Sequence, residues 1–270
     1  MKSGLIIYSS IDKEKNTWFI DKCIERFKKK GVSLKYKDEA DLKEIQCSFV
    51  IYRGRDYRIV ESIENRGIRC FNNSLTNRIS NDKFLTYTFL KDKGILVLSS
   101  FSSYEEVGSF PLVMKSIDGH GGQEVYLVNS KEEAEAHKKQ NKRYVYQKYY
   151  PNDGDLRLYV LNKKVIGAVL RKSNQDFRSN FSLGGDVSSY EPSQETVDTA
   201  IKVATLLNAD YIGVDFIKVD EKWYVNEVED PVGARMLYKT TGIDVTSLLV
   251  DYIHKQLMQQ YNTDSLDHGS

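Results

Sequence analysis

Tyr211-Ile212-Gly213-Val214-Asp215-Phe216-Ile217 and Trp223-Tyr224-Val225-Asn226-Glu227-Val228-Glu229 are two runs rich in β-formers, separated by a short polar link. Each reads as a strand, and the pair as a hairpin around 211–229. If Asp220-Glu221-Lys222 form a three-residue loop, Val219 faces Trp223 and Asp215 lies directly opposite Glu227. Glu229 shares their face, because side chains alternate with period two. A two-residue loop would shift the register and break that pairing. Like charges facing each other across strands are destabilising. With Ile217 and Val225 among the flanking residues, the face is at least half buried, so a cation is needed to neutralise it. Oxygen-only ligands suggest magnesium, or manganese, rather than zinc. The competing reading is a solvated edge hairpin with surface acids.

Upstream lie the elements that complement these acids. Lys115 ends the strand Leu112–Lys115. Four residues later comes Gly119-His120-Gly121-Gly122, followed by the strand Glu124–Val128. Such a glycine-rich loop lets backbone N–H groups approach phosphate oxygens, with the lysine as a point charge beside them. The spacing fits neither a P-loop nor a dinucleotide fingerprint, so read alone it is equally a plain turn. Gln147-Lys148-Tyr149 follows a strand from Tyr144. It offers backbone groups to an adenine edge or serves as an ordinary linker. Asp155 and Arg157 alternate on one face of a strand, Arg171 ends the next, and Arg178 and Asn180 follow. Arginines at strand ends opposite an acidic hairpin suggest bound anions, with surface salt bridges as the alternative.

Around this centre the chain is unremarkable. It has 270 residues, 40% hydrophobic and 29% charged, which fits a globular protein and excludes a disordered one. Lysine plus arginine total 39 against 38 acids, a net charge of +1 that gives no general attraction to nucleic acid or membrane. No run approaches the ~20 apolar residues of a membrane span. Three scattered cysteines (Cys23, Cys47, Cys70) make neither a disulfide framework nor a zinc site, and four histidines form no metal-spaced pair. Free thiols imply a reducing, cytoplasmic setting.

The first ~80 residues alternate short apolar strands with helices, which suggests a parallel α/β layer. Ser80 is a candidate N-cap for a helix through Lys83, Leu85 and Phe89 that ends at Gly94. Residues 95–149 read as a small α+β lid. From about 150 to 260 come two strands, a helix carrying Val197, Ile201, Ala204 and Leu207, the acidic hairpin, and a closing helix from Val245 to Gln259. The expected division is an N-terminal α/β domain (1–78), a lid (79–148), a C-terminal catalytic part (149–260) and a frayed tail (261–270).

Taken in order, these pieces resemble the ATP-grasp superfamily, and within it the branch of RimK-like ligases, which add glutamate to a ribosomal protein. The resemblance covers roughly residues 75 to 235. Its most specific stretch is Arg171 to Gly185, with Asp176-Phe177-Arg178-Ser179-Asn180 and Gly184-Gly185; Asp155-Leu156-Arg157 also matches. It implies an ATP-grasp fold in which Lys83 and Lys115 contact ATP phosphates and Gly119, His120, Gly121 and Gly122 close over them. Gln147, Lys148 and Tyr149 would hold adenine and Asp155 the ribose. Asp215, Glu227 and Glu229 would bind two magnesium ions, with manganese as a substitute. Arg171, Arg178 and Asn180 would steady the transferred phosphoryl group, with Arg157 and Arg235 toward substrate. The sequence departs from the branch at Glu229, where asparagine is usual, and at Pro231-Val232-Gly233-Ala234-Arg235 in place of a Pro-Gly step.

The expected activity is ATP-dependent joining of an amino acid or peptide carboxylate to an amine through an acyl phosphate. Two other readings are a peptide macrocyclase of the same superfamily and an ATP-binding regulator without chemistry. Many relatives associate, so a homo-oligomer is compatible with the resemblance.

Overall fold

The computed structural model describes residues 2–122, 124–152, 154–172 and 186–267. The expectations for Arg178, Asn180 and the rest of 173–185 lie outside the described residues.

The N-terminal layer is a parallel sheet, as the alternation implies. Its strands are β1 (Ser3–Tyr8), β2 (Ser33–Asp38), β3 (Phe49–Tyr52) and β4 (Arg69–Phe71), in the order β2-β1-β3-β4. Helix α1 (Ser10–Lys29) starts where Ser9 Oγ accepts the Asp12 amide at 3.1 Å. It buries Phe19, Cys23 and Phe27, spaced by four, against the sheet. Gly4 is required in β1. A Cβ there would sit 2.2 Å from the Phe49 ring, which lies across the strand. Helices α2 (Tyr57–Glu64) and α3 (Ser74–Ser80) complete the layer.

Helix α4 spans Lys83–Asp92, and its cap is Asp82 rather than Ser80. Asp82 Oδ1 accepts the amides of Phe84 and Leu85, while Ser80 closes α3. A carboxylate next to the free N–H groups of a helix start outcompetes the hydroxyl two residues earlier. Short helix α5 (Tyr104–Val107) leads into the lid. There β5 (Leu112–Ser116), β6 (Val125–Val128) and β7 (Tyr144–Lys148) form an antiparallel sheet ordered β6-β5-β7, with α6 (Lys131–His137) against it. Strand alternation divides the lid sheet into two faces. Leu112, Met114, Tyr126, Val128, Tyr144 and Tyr146 build the lid core. Val113, Lys115, Val125 and Gln147 point the other way, into a cleft.

The large sheet is antiparallel: β8 (Asp155–Leu161), β9 (Lys164–Lys172), β10 (Asp186–Ser189), β11 (Tyr211–Val219) and β12 (Lys222–Glu229), ordered β10-β9-β8-β11-β12. One face, with Leu156, Leu158, Val160, Ile212, Val214 and Phe216, packs on helix α7 (Gln194–Leu206) through Ala200, Val203 and Ala204. The other face is apolar at one end, where Tyr159, Leu161 and Tyr211 join the core of the N-terminal layer. That core also takes in helices α8 (Arg235–Thr241) and α9 (Val245–Asp267). At its other end the same face carries Asp155, Arg157, Arg171 and Asp215. The polarity change along one face is what puts charges at the cleft. Strands β10 and helices α3, α5 and α8 had no clear sequence pattern, being seven residues or shorter. The closing helix runs to Asp267, beyond the expected Gln259.

The acidic hairpin departs from its expected geometry in an instructive way. Its loop has two residues, Asp220 and Glu221, both with positive φ (46° and 63°), so Val219 faces Lys222 rather than Trp223. Such a loop matches the right-handed strand twist. The one-residue slip this imposes is cancelled by a β-bulge: Phe216 pairs with Val225, but Asp215 pairs with Glu227. Asn226 is the extra residue. The Asp215–Glu227 pairing therefore holds despite the shorter loop.

Candidate active site

The cleft between the lid sheet and the large sheet encloses a cavity of about 300 Å³. Of the residues singled out above, Lys83, Lys115, Gly119, Gly121, Gly122, Gln147, Lys148, Tyr149, Asp155, Arg157, Arg171, Asp215, Glu227 and Glu229 line it. His120 and Arg235 are not among its lining residues, although Met236, next to Arg235, is.

The roof comes from the lid. Lys115 is 6% exposed and donates to the Asn226 amide oxygen at 2.9 Å, with Glu227 3.7 Å away. Burial lowers its pKa, and the Glu227 charge offsets part of that effect. Lys83 Nζ donates to the Gly119 carbonyl, tying the start of α4 to the glycine-rich loop. Gly121 and Gly122 have φ of 64° and 74°, which side-chain-bearing residues rarely adopt. Burial, with Arg55 and Lys83 adding to it, pushes the His120 imidazole down to about 4. His120 is therefore neutral at neutral pH and supplies no cation to the loop. The Gln147 side chain donates to Ser100 Oγ at 2.8 Å, which anchors it in the cavity wall.

The floor is an alternating ladder of charges. Arg157 reaches Asp215 through two hydrogen bonds, Nε at 2.6 Å and Nη2 at 2.7 Å, and reaches Glu229 at 3.1 Å. Arg171 Nη2 donates to Asp215 at 2.7 Å, and its Nε donates to Asp155. Paired, charge-assisted bonds of this kind are the strong class. Burial opposes ionisation of Asp215, but Arg157 and Arg171 outweigh it and hold the carboxyl far below the usual range. Glu227 follows the same pattern, with Lys83 and Lys115 outweighing burial.

This ladder corrects one expectation. Among the described residues, no three His, Cys, Asp or Glu side chains converge as a ready-made metal cage. The repulsion on the acidic face is relieved by Arg157 and Arg171, in buried ion pairs where the sequence suggested bound anions or surface salt bridges. Asp155 likewise spends a carboxylate oxygen on Arg171. The donor chemistry still fits a hard cation. Glu227 and Glu229 keep 27% and 28% of their side chains exposed on the cavity wall, and the Asn226 amide oxygen lies beside them. All are oxygen donors, as magnesium requires.

Sequence reasoning missed the apolar lining residues Leu98, Val113 and Val125, which join Ile217 in the cavity wall. Strand parity from Lys115 predicts Val113, whereas Leu98 arrives from a segment that pairs with the outer edge of β12 at Val225. Asn226 was hidden because only a bulge brings it to this face.

Comparison with known proteins places this architecture. Residues 99–253 match the model of the RimK-like ATP-grasp domain. The chain belongs to the RimK-like ATP-grasp family. It is an ATP-dependent carboxylate–amine ligase that forms a carbon–nitrogen bond. A protein of Mycoplasma genitalium, named only as uncharacterized protein MG011, is 30% identical over 92% of this chain and 91% of its own length. A probable alpha-L-glutamate ligase of Maridesulfovibrio salexigens is 30% identical over 87% of this chain and 84% of its own. In fold, the chain is similar to D-alanine–D-alanine ligase from Bacillus anthracis, with TM-score 0.76, 19% identity, and coverage of 98% of this chain and 99% of that one. No helix among the described residues is long and apolar enough to cross a membrane.

Proposed function

We propose that this ligase activates the carboxylate of an amino acid or peptide as an acyl phosphate and transfers it to an amine. The observation that carries the reading is the cleft itself. Lys83, Lys115 and a glycine-rich loop face Glu227 and Glu229 across one cavity, with Arg157 and Arg171 on its floor.

In the first step a carboxylate oxygen attacks the γ-phosphorus of ATP, and the bond to ADP breaks. In the second an amine nitrogen attacks the acyl carbon and the bond to phosphate breaks. The nitrogen sheds a proton, and an amide and inorganic phosphate result. The protein's share is placement and charge neutralisation, and positioning alone can supply about 7–11 kcal/mol. The slot walled by Val113, Val125 and Ile217 takes the adenine against the backbone of Gln147–Tyr149. Lys83 and Lys115 hold phosphate oxygens, and the loop 119–122 covers them. Arg171 faces the transferred phosphoryl group, with Arg157 toward the substrate carboxylate. Asp215, Glu227 and Glu229 would hold magnesium, two ions being expected and manganese an alternative. When bound, the metal would supply charge neutralisation for phosphoryl transfer.

The division into an N-terminal domain (1–78), a lid (79–148) and a catalytic part (149–260) belongs to this reading; the separate sheets of residues 3–71, 112–148 and 155–229 support it. Three free cysteines suit a reducing cytoplasm. The test is a screen of amino acids and peptides, as carboxylate and as amine, for stimulated phosphate release. Mass spectrometry of the product then identifies the bond. ATP binding without release under any pair of substrates would overturn the reading in favour of a regulator.

A further inference from the structure

The loop that follows the acidic hairpin is gripped from the N-terminal layer, and the grip converges on one residue. Asp230 is 5% exposed. Its Oδ1 accepts the Asn72 side-chain amide at 2.8 Å and its Oδ2 accepts that of Asn77 at 3.0 Å. Its backbone carbonyl accepts the Asn81 amide at 2.8 Å. Two residues on, the Val232 carbonyl accepts Arg53 Nη2 at 2.6 Å.

The same device reaches the other end of the hairpin. Asn72 Nδ2 also donates to the Tyr211 carbonyl at 2.7 Å, and its Oδ1 accepts the backbone N–H groups of Asp210 and Tyr211 at 2.6 and 2.9 Å. Asn72 thus clamps the start of β11 and the residue after β12 together. Asn77 splits its donors between Asp230 and the Gly54 carbonyl, while its own oxygen is buried with no hydrogen-bond partner. Turning that amide over would set oxygen against oxygen, so the orientation is fixed by the carboxylate and not by the amide's own needs.

We infer that Asp230 is a positioning residue: through Asn72, Asn77 and Asn81 it lets the N-terminal layer fix the backbone that carries Glu227 and Glu229. The inference rests on the reading of those two glutamates as the magnesium-holding groups. Glu229 is the residue immediately before Asp230, so a shift of the loop moves its carboxylate directly. Outer groups that orient metal ligands are worth about 10- to 100-fold in metal affinity. The N-terminal layer then completes the geometry of a hairpin that lies 139 to 158 residues from Asn72 in sequence.

The probe is manganese, titrated by electron paramagnetic resonance in the presence of a non-hydrolysable ATP analogue, with thermal melting in parallel. Asp230→Asn is expected to weaken nucleotide-dependent Mn²⁺ binding at least about tenfold, and Asn81→Ala severalfold, in folded protein. Wild-type Mn²⁺ affinity in both variants, even with a lowered melting temperature, would reduce Asp230 to a structural residue and overturn the inference. Should Asp230→Asn not fold, Asn81→Ala decides alone. Glu227→Gln and Glu229→Gln serve as references. If they weaken Mn²⁺ binding and the positioning variants do not, the inference fails and the metal reading stands. If they too leave it unchanged, the metal reading itself has failed.

Discussion

Arg171 serves two carboxylates, Asp155 and Asp215, from the end of β9, and the two bonds fix the guanidinium at the cavity floor. Lysine retains the charge but not the fork. Arg171→Lys is therefore expected to lower kcat by about 10- to 100-fold while KM for ATP changes by less than about threefold, read from steady-state phosphate release. A loss confined to KM would assign Arg171 to nucleotide affinity. His120 provides a test by stability instead. Its folded value of about 4 lies below the ordinary 6.5, so between those pH values the unfolded chain binds a proton that the folded chain does not. Stability contributed by the neutral imidazole is full above pH 6.5 and is lost as pH falls toward 4. Melting temperature should drop across that window, and His120→Gln should remove part of the slope. An unchanged slope would mean that His120 titrates normally.

At the scale of elements, the hairpin shows how a sequence argument can reach the right pairing through the wrong loop. Period-two alternation located both strands and the acids on them. Loop length is set by backbone conformation, and neither Asp220 nor Glu221 announces a positive φ as glycine would. Placing glycine at Glu221 removes the cost of a left-handed backbone. Glu221→Gly should stabilise the protein by about 0.5–1 kcal/mol in denaturant unfolding, since its exposed pair with Lys218 contributes little. A loss of stability would show that the ion pair matters more than the backbone. The bulge at Asn226 was likewise illegible, because a bulge is recognised by pairing and not by composition. Lys115 and the glycine-rich loop could be located from composition, but spacing alone left them a plain turn, and only the family resemblance gave them a phosphate-facing role. Spacing put Arg157 and Arg171 opposite the acids but could not convey which carboxylate each one meets or that the pairs are buried, since those contacts join strands more than 40 residues apart in sequence.

For the whole molecule, charges from the lid sheet, the large sheet and the start of α4 line one cavity, and the N-terminal layer braces it from outside. The N-terminal layer holds both ends of the hairpin, the lid supplies lysines and a glycine-rich loop, and the large sheet supplies the acids and arginines. Cation and anion are matched throughout this interior, which is why a buried face with four acids is tolerated at all. The most direct measurement is ADP release by the purified protein with ATP and magnesium, with a carboxylate and an amine added separately and together, alongside Glu227→Gln. The account predicts release that requires both substrates and the metal, and that falls at least about 100-fold in the variant. Release independent of added substrates, or near-normal turnover in Glu227→Gln, would contradict it.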